Sequence, residues 1–348
     1  MPGEAGNCMK KGLRRVLSLA LAVFTGTAGM AVVPGKPGRA EESVPVMELP
    51  EARDGEYAIL TVEEDAGIGP HEENYLFEAG EKSPHGYADP SITVNIGRGR
   101  VYSTDYVYAR VKIAFPSQIR TMTSGTGLAK MPDVMAHLLA KRVKAVVAVS
   151  GVLLADNDIR GPVKLQGKAY RPDGKTSESK TQKWRESGAM DTLVIDDEGN
   201  LRILEGETWG SIQDQIDEMG DSAVNVLAFG PALIVDGEPR YGYTNCQKST
   251  HRHAQRMAIC QTGPLEYLLI TSAGPEDAGS EGLKLDQFIE LIDSFSDVKT
   301  AYNLDGGSSS TLVFRKGSAY WAKINGSTGK KRQLKDIIYF ADAWLPEE

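Results

Sequence analysis

Cysteine is scarce in this sequence, with three residues among 348: Cys8, Cys246 and Cys260. That scarcity excludes a small disulfide-built scaffold, and no CxxC pair or Cys/His cluster has the spacing of a zinc site. Cys8 lies in an N-terminal segment that reads as removable. Cys246 and Cys260 are then either one disulfide or two separate buried thiols. Histidine is also rare, and the nearest approach to a ligand pair is His251-Arg252-His253. Residues at i and i+2 of a strand share one face, but with no further ligand at metal spacing this pair does not by itself indicate a metal. An excess of positive charge is lacking too. The formal net charge is −8 and the pI is near 5.4, whereas nucleic-acid binders present a basic face. There is no GxxxxGK, hence no P-loop. What is present, 41% hydrophobic and 25% charged residues, suits an ordinary globular protein with a sizeable core and no need of staples.

The N-terminus reads as an address. Lys10, Lys11, Arg14 and Arg15 precede an apolar run from Val16 to Val33. This is the basic-then-apolar order of an export signal. Gly29-Met30-Ala31 and Gly38-Arg39-Ala40 are small-x-small sites where cleavage fits. Left uncleaved, the run is long enough to anchor the chain in a membrane. Residues 1–40 are therefore an export signal or an N-terminal anchor, and the remainder is expected to be secreted or on the extracytoplasmic face. Residues 41–85, rich in Pro, Gly and Glu, read as a spacer with one short strand at Tyr57-Ala58-Ile59-Leu60. Residues 86–348 read as a single main domain.

Within that domain, alternation at Val107, Ala109, Val111, Ile113 and Phe115 predicts a strand, with Tyr108, Arg110 and Lys112 on its other face. Lys144–Ser150 is a short apolar run, as in a buried strand. Asp133–Lys141 has helical spacing. So do Trp209, Ile212, Ile216 and Met219, which end at a candidate capping residue, Gly220. A further helix fits Leu285, Phe288, Ile289, Ile292 and Phe295. Strands fit Val224–Phe229, Ala232–Val235, Met257–Gln261 and Leu265–Thr271. Strands outnumber helices and often follow one another directly. The expected fold is α+β, a mixed β-sheet core with a few flanking helices.

The chemistry concentrates in Asn303-Leu304-Asp305-Gly306-Gly307-Ser308-Ser309-Ser310-Thr311. A strand at Thr300–Leu304 ends in a carboxylate, two glycines and three serines. Glycine lets a ligand approach the backbone, and consecutive N–H groups in such a turn can bind an anion. Asn303 alternates with Asp305 on one strand face. The plain alternative is a tight Asp-Gly-Gly hairpin with a solvated acid.

This segment resembles the N-L-D-G-G-G-S-S-T signature of the phosphodiester glycosidase family, with Ser308 in place of the third glycine. Phe229–Gly237 is similar to the family's G-P-x-L-x-x-D-G segment. Arg256-Met257-Ala258-Ile259-Cys260-Gln261 resembles its R-T-A-I-G-Q, departing at Met257 and Cys260. Asn325 and Arg332 fit its C-terminal Asn…Arg pattern, and Tyr106–Arg120 is similar to its opening strand. Ser150-Gly151 stands where the family carries Asn-Gly. The resemblance implies hydrolysis of a sugar-1-phosphodiester in extracellular or cell-envelope glycans. Asp305 is the expected carboxylate at the anomeric carbon, as base or nucleophile. Arg256 is expected on the phosphate, because a guanidinium matches phosphate oxygens; a structural salt bridge is its alternative. Asn303, Gly306, Gly307, Ser308, Ser309, Ser150, Gly151, Asn325 and Arg332 are the expected substrate-binding residues.

Glycosidases commonly pair two carboxylates. Asp236, Asp191 and Asp158 are candidates for the second, with Asp236 equally suited to a hairpin turn. No cofactor is required, although Asp305 beside a phosphate could hold a divalent cation. The expected partner is the carbohydrate substrate alone, with no nucleic acid, and a membrane only through an uncleaved N-terminus. Two other classes compete. One is a non-catalytic glycan-binding or cell-surface module with the same fold. The other is a serine hydrolase, from the S-x-x-K matches at Ser177–Lys180 and Ser327–Lys330, which lack S-D-N and K-T-G companions.

Overall fold

The longest strands are built on two-residue alternation. Thr104–Ile113 sends Val107, Ala109, Val111 and Ile113 into a central core, and Tyr106 and Tyr108 to the opposite face. That second face is covered as well. Tyr108 meets Phe295 edge to face at 5.0 Å. Arg110 lies over the same ring and pairs with Asp297 at 2.5 Å. In the computed structural model, the described residues are 43–51, 55–58, 60–61, 68–125, 133–152, 161–171, 178–242, 250–316, 320–326 and 332–347. The N-terminal basic and apolar run lies outside them. Among the described residues, no helix is long and apolar enough to cross a membrane.

Nine strands form the largest sheet. Its order is Glu238–Pro239, Ala232–Val235, Thr300–Asn303, Met257–Gly263, Glu266–Ser272, Thr104–Ile113, Ile92–Val101, Gly86–Ala88 and Tyr75–Leu76. A five-stranded sheet runs Tyr320–Lys323, Leu312–Lys316, Val147–Ser150, Asp336–Phe340, Ile119–Thr123. A second runs Leu201–Leu204, Thr192–Asp196, Ala223–Ala228, Val163–Leu165, Lys168–Arg171. All three bury one face in a common core. The nine-stranded sheet contributes Val111, Ile259 and Leu269, the first five-stranded sheet Val149, Ile338 and Phe340, and the second Leu193, Ile195 and Leu227.

Each outer face is closed by a helix whose apolar stripe fits it. Ala136–Arg142 packs Leu139 and Ala140 on Ala148, Ile337 and Tyr339. Trp209–Met219 packs Trp209, Ile212 and Ile216 on Val194 and Val226. Leu285–Asp293 packs Phe288, Ile289 and Ile292 on Ala258, Cys260 and Leu268. The Thr208 side chain caps the middle helix by accepting from Ser211 N, and Gly220 ends it at φ 61°. The first helix starts at Ala136 rather than Asp133, because a backbone bridge ties Val134 to Leu334. Cys260 is a free thiol buried beneath the Leu285–Asp293 helix. Its expected alternative partner, Cys246, lies outside the described residues.

Strands dominate and a few helices flank them, as an α+β reading requires. The expected mixed sheet is corrected: every strand pairing among the described residues is antiparallel. The Leu285–Asp293 crossover shows why. It joins Glu266–Ser272 to Thr300–Asn303, which run in the same direction. Met257–Gly263 enters between them and pairs antiparallel with both. The short early strand is Gly55–Tyr57, paired with Trp344–Pro346. All described residues belong to one compact unit, residues 36–348.

Candidate active site

The signature loop begins where the Thr300–Asn303 strand leaves the nine-stranded sheet. Leu304 is fully buried, and its N–H donates to Met257 O at 2.9 Å. The next residue, Asp305, is partly buried at the rim of a cavity. Two glycines then turn the chain against Gln255. A Cβ on Gly306 would stand 2.7 Å from Gln255 O. Gly307 has φ +56° and donates its N–H to the same oxygen at 2.8 Å, so neither position suits a side chain. Ser310 Oγ then bonds Thr271 Oγ1 at 2.6 Å and Arg256 O at 3.1 Å, which fixes the loop's far end.

Ser150 and Gly151 meet this loop from the first five-stranded sheet. Asp305 N donates to Gly151 O at 3.3 Å, and Ser150 Oγ donates to Asp305 O at 3.4 Å. Ser150 is 1% exposed. It is part of the framework under Asp305, not of the cavity wall.

The neighbouring strand brings a residue that the sequence did not single out. Asp336 opens the Asp336–Phe340 strand, whose Ile337 pairs with Ser150. Its Oδ2 accepts from Val152 N at 2.9 Å. Its carboxyl presses on Gly151 so closely that a Cβ there would stand 1.9 Å from Oδ2. Burial raises the Asp336 pKa well above the usual carboxylate range, and the charge of Asp305 raises it further. Burial also raises Asp305, while the Ser309 hydroxyl and the Arg332 guanidinium pull it back down. Ser309 Oγ is buried and makes no hydrogen bond of good geometry; its effect on Asp305 comes from proximity. The charge of Asp305 thus reaches the deeper Asp336 carboxyl and adds to burial in favouring its protonated form.

The other acids proposed for the second carboxylate do other work. Asp191 Oδ2 accepts from Ala232 N at 2.9 Å. Asp236, at φ 54°, sits with Gly237 in the hairpin turn between Ala232–Val235 and Glu238–Pro239. Asp158 lies outside the described residues. Nothing in the sequence ties Asp336 to Asp305. An acid at the head of an apolar run reads as a solvated strand end, and only the sheet order reveals the pair.

The cavity beside Asp305 has a volume of about 250 Å³. Phe229, Gly230 and Pro231 form one wall, Thr250, Ala254, Arg256 and Leu285 another, and Asn303 to Gly307 a third. Asn303 donates Nδ2 to Gly230 O at 2.9 Å, so Oδ1 is the atom it offers the cavity. Arg256 is 5% exposed, and its guanidinium donates to three backbone carbonyls. Nε reaches Leu283 O at 2.9 Å, and Nη2 reaches Arg252 O at 2.7 Å and Thr250 O at 3.4 Å. This holds the Thr250–Ala254 segment in place. Arg332 is exposed, donates its backbone N–H to Ser308 O at 3.3 Å, and acts electrostatically on Asp305. Of the two arginines, Arg332 has the surroundings of an anion-gripping group.

Asn325 is a correction. It is 1% exposed; its Oδ1 accepts from Leu312 N at 2.7 Å, and Nδ2 donates to Ser310 O and Thr271 Oγ1. Its amide is consumed in anchoring the loop, so it has no surface for substrate. His253 Nδ1 bonds Gly282 O at 3.0 Å. Among the described residues, no three metal-ligating side chains converge. Of the two S-x-x-K stretches, Ser177–Lys180 falls partly and Ser327–Lys330 wholly outside the described residues.

Comparison with known proteins bears on the fold and the family. The catalytic domain of zebrafish N-acetylglucosamine-1-phosphodiester alpha-N-acetylglucosaminidase, auto-inhibited by its pro-peptide, matches with a TM-score of 0.54 at 17% identity. The match covers 77% of this chain and 87% of that one. A hypothetical protein from Synechocystis matches with a TM-score of 0.51 at 14% identity, over 74% of this chain and 62% of that one. At these identities the likeness is one of fold. No curated protein matches the sequence. The phosphodiester glycosidase family model matches residues 143–341, more than half of the chain and all of the loop and strands that carry Asp305 and Asp336, and the chain belongs to that family.

Proposed function

We propose that this protein hydrolyses a sugar-1-phosphodiester at the anomeric carbon. The observation that carries the reading is the Asp305–Asp336 pair, with Asp305 lining a sugar-sized cavity and Asp336 buried behind it. A water oxygen ends on the anomeric carbon, and the bond from that carbon to the phosphate oxygen breaks. The phosphate monoester departs with the electron pair. Asp305, ionised, is the carboxylate at the anomeric centre, either taking the proton of water or forming the first bond itself. The stereochemistry of the released sugar distinguishes these routes. A phosphate monoester is a good leaving group, so charge stabilisation suffices at the departing oxygen. Arg332 supplies that charge. Burial favours the protonated form of Asp336, which keeps a second negative charge away from the incoming phosphate. With a cleaved signal or an uncleaved anchor at its N-terminus, the enzyme would act on extracellular or cell-envelope glycans.

The test is release of free sugar from α- and β-linked sugar-1-phosphodiesters. The wild type is expected to turn over, and Asp305→Asn to lose about 10²–10⁴-fold in kcat, the range for a positioned acid–base group. Undiminished turnover in that variant removes Asp305 from the mechanism. A folded wild type inactive on both anomers points instead to a glycan-binding module on the same fold.

A further inference from the structure

Tyr302 lies three residues before Asp305, on the opposite strand face from Asn303 and Asp305. Its ring is fully buried in the central core. Its hydroxyl ends among four backbone groups contributed by the second five-stranded sheet and the turns at its edge. It accepts from Phe229 N at 2.8 Å and Gly230 N at 2.7 Å. Its single proton is shared between Leu227 O at 2.7 Å and Asp191 O at 2.8 Å. A phenol hydroxyl has one donor and acceptor capacity on oxygen, so this group is fully used.

The same turn is held at three more points. Asn303 Nδ2 donates to Gly230 O at 2.9 Å, Asn303 N to Pro231 O at 3.1 Å, and Ala232 N to Asp191 Oδ2 at 2.9 Å. The turn so fixed is the Phe229–Pro231 wall of the cavity. With Leu285 and Ala254, it gives the cavity apolar surface suited to the C–H face of a sugar ring. A wall fixed in advance needs no ordering when ligand enters, which favours binding.

We propose that Tyr302 is a positioning residue whose hydroxyl fixes the Phe229–Pro231 wall and so sets how closely the cavity fits the sugar ring of the substrate. This rests on the phosphodiester glycosidase reading of the site. Tyr302→Phe keeps the ring and frees Phe229 N and Gly230 N, while the hydrogen bonds of Asp305 N to Gly151 O and of Val152 N to Asp336 Oδ2 are untouched. Its effect therefore falls on binding: KM rises about tenfold and kcat changes little, the pattern of lost uniform binding. The control is Tyr267→Phe. That hydroxyl is equally buried and donates to Gly199 O at 2.6 Å, away from the cavity. It reports what losing one buried hydroxyl does through stability alone. Should Tyr302→Phe not fold, Asp191→Ala releases Ala232 N from the same turn and carries the test.

The experiment is steady-state kinetics of the three variants on a sugar-1-phosphodiester, with calorimetric binding of a panel of hexose 1-phosphates alongside. A raised KM in Tyr302→Phe or Asp191→Ala, with Tyr267→Phe like wild type, supports the proposal. Equal KM values in Tyr302→Phe and Tyr267→Phe overturn it and leave the enzymatic reading standing. A wild type that binds hexose phosphate without turnover, and loses that binding in Tyr302→Phe, supports the wall and removes the enzymatic reading. A wild type with neither turnover nor binding overturns both.

Discussion

Two arginines near the signature loop have opposite surroundings, and these predict opposite phenotypes. Arg256 is buried and donates to the carbonyls of Leu283, Arg252 and Thr250. Arg256→Gln leaves buried carbonyls without their charged donor and is expected to cost roughly 2–4 kcal/mol of stability. Arg332 is exposed and acts on Asp305 through space. Arg332→Gln is expected to leave urea unfolding unchanged, lower kcat/KM, and weaken the salt dependence of activity. Measuring both quantities for both variants checks the assignment; a stable, inactive Arg256→Gln would return the phosphate to Arg256. The sequence could not separate the two. Arg256 stands in a family motif, and its consumption by the 250–254 segment depends on contacts between distant strands. Asp305 was legible because glycines and serines crowd around it. Asp336 was not, because its partner lies 31 positions earlier in the chain and meets it only through sheet pairing.

Gly151 is the contact between the elements that bring the two acids together. It follows the Val147–Ser150 strand, accepts from Asp305 N through its carbonyl, and lies against the Asp336 carboxyl. A methyl group there would have to push Asp336 aside. Gly151→Ala is therefore expected to cut kcat by about 10²-fold or more, through misplacement of the carboxyl pair. Gly237→Ala is the comparison. Its Cβ would meet nothing within 4 Å, although the backbone is at φ +80°. It should cost about 1 kcal/mol of stability and no activity. Equal kinetics in the two variants would remove Gly151 from the site. At this scale the sequence was informative. The helix at Trp209–Met219 followed from apolar spacing and Gly220, and the one at Leu285–Asp293 from a strong apolar stripe. The helix start at Ala136 was not legible, because a long-range bridge at Val134 overrides local spacing.

The arrangement of three sheets around one core was beyond the sequence, since alternation along a strand does not reveal which sheet it joins. Nor does alternation show what covers the second face of Thr104–Ile113, where the Leu285–Asp293 helix and Phe295 pack. Deep burial of acids follows from the same architecture and makes the whole molecule sensitive to pH. Asp342 is fully buried. It accepts from Tyr87 OH at 2.6 Å, Ser91 Oγ at 3.1 Å and Trp344 N at 2.8 Å. Burial, and then the neighbouring charge of Asp89, raises its pKa to about 7. Asp305, Asp336 and Asp191 are raised too, each first by burial. An acid whose folded pKa lies above its unfolded value binds more protons when folded. Its contribution is full below the unfolded pKa near 4 and is lost as pH rises toward 7, at about 1.4 kcal/mol per unit. The protein is thus expected to melt at a higher temperature at pH 5 than at pH 8. Asp342→Asn keeps an acceptor for Trp344 N and cannot ionise. It should be nearly neutral at pH 5, stabilising at pH 8, and should flatten the slope between them. An unchanged slope in that variant would place the pH dependence in the remaining buried acids. A wild type more stable at pH 8 would mean that these carboxyls do not set the pH dependence of stability.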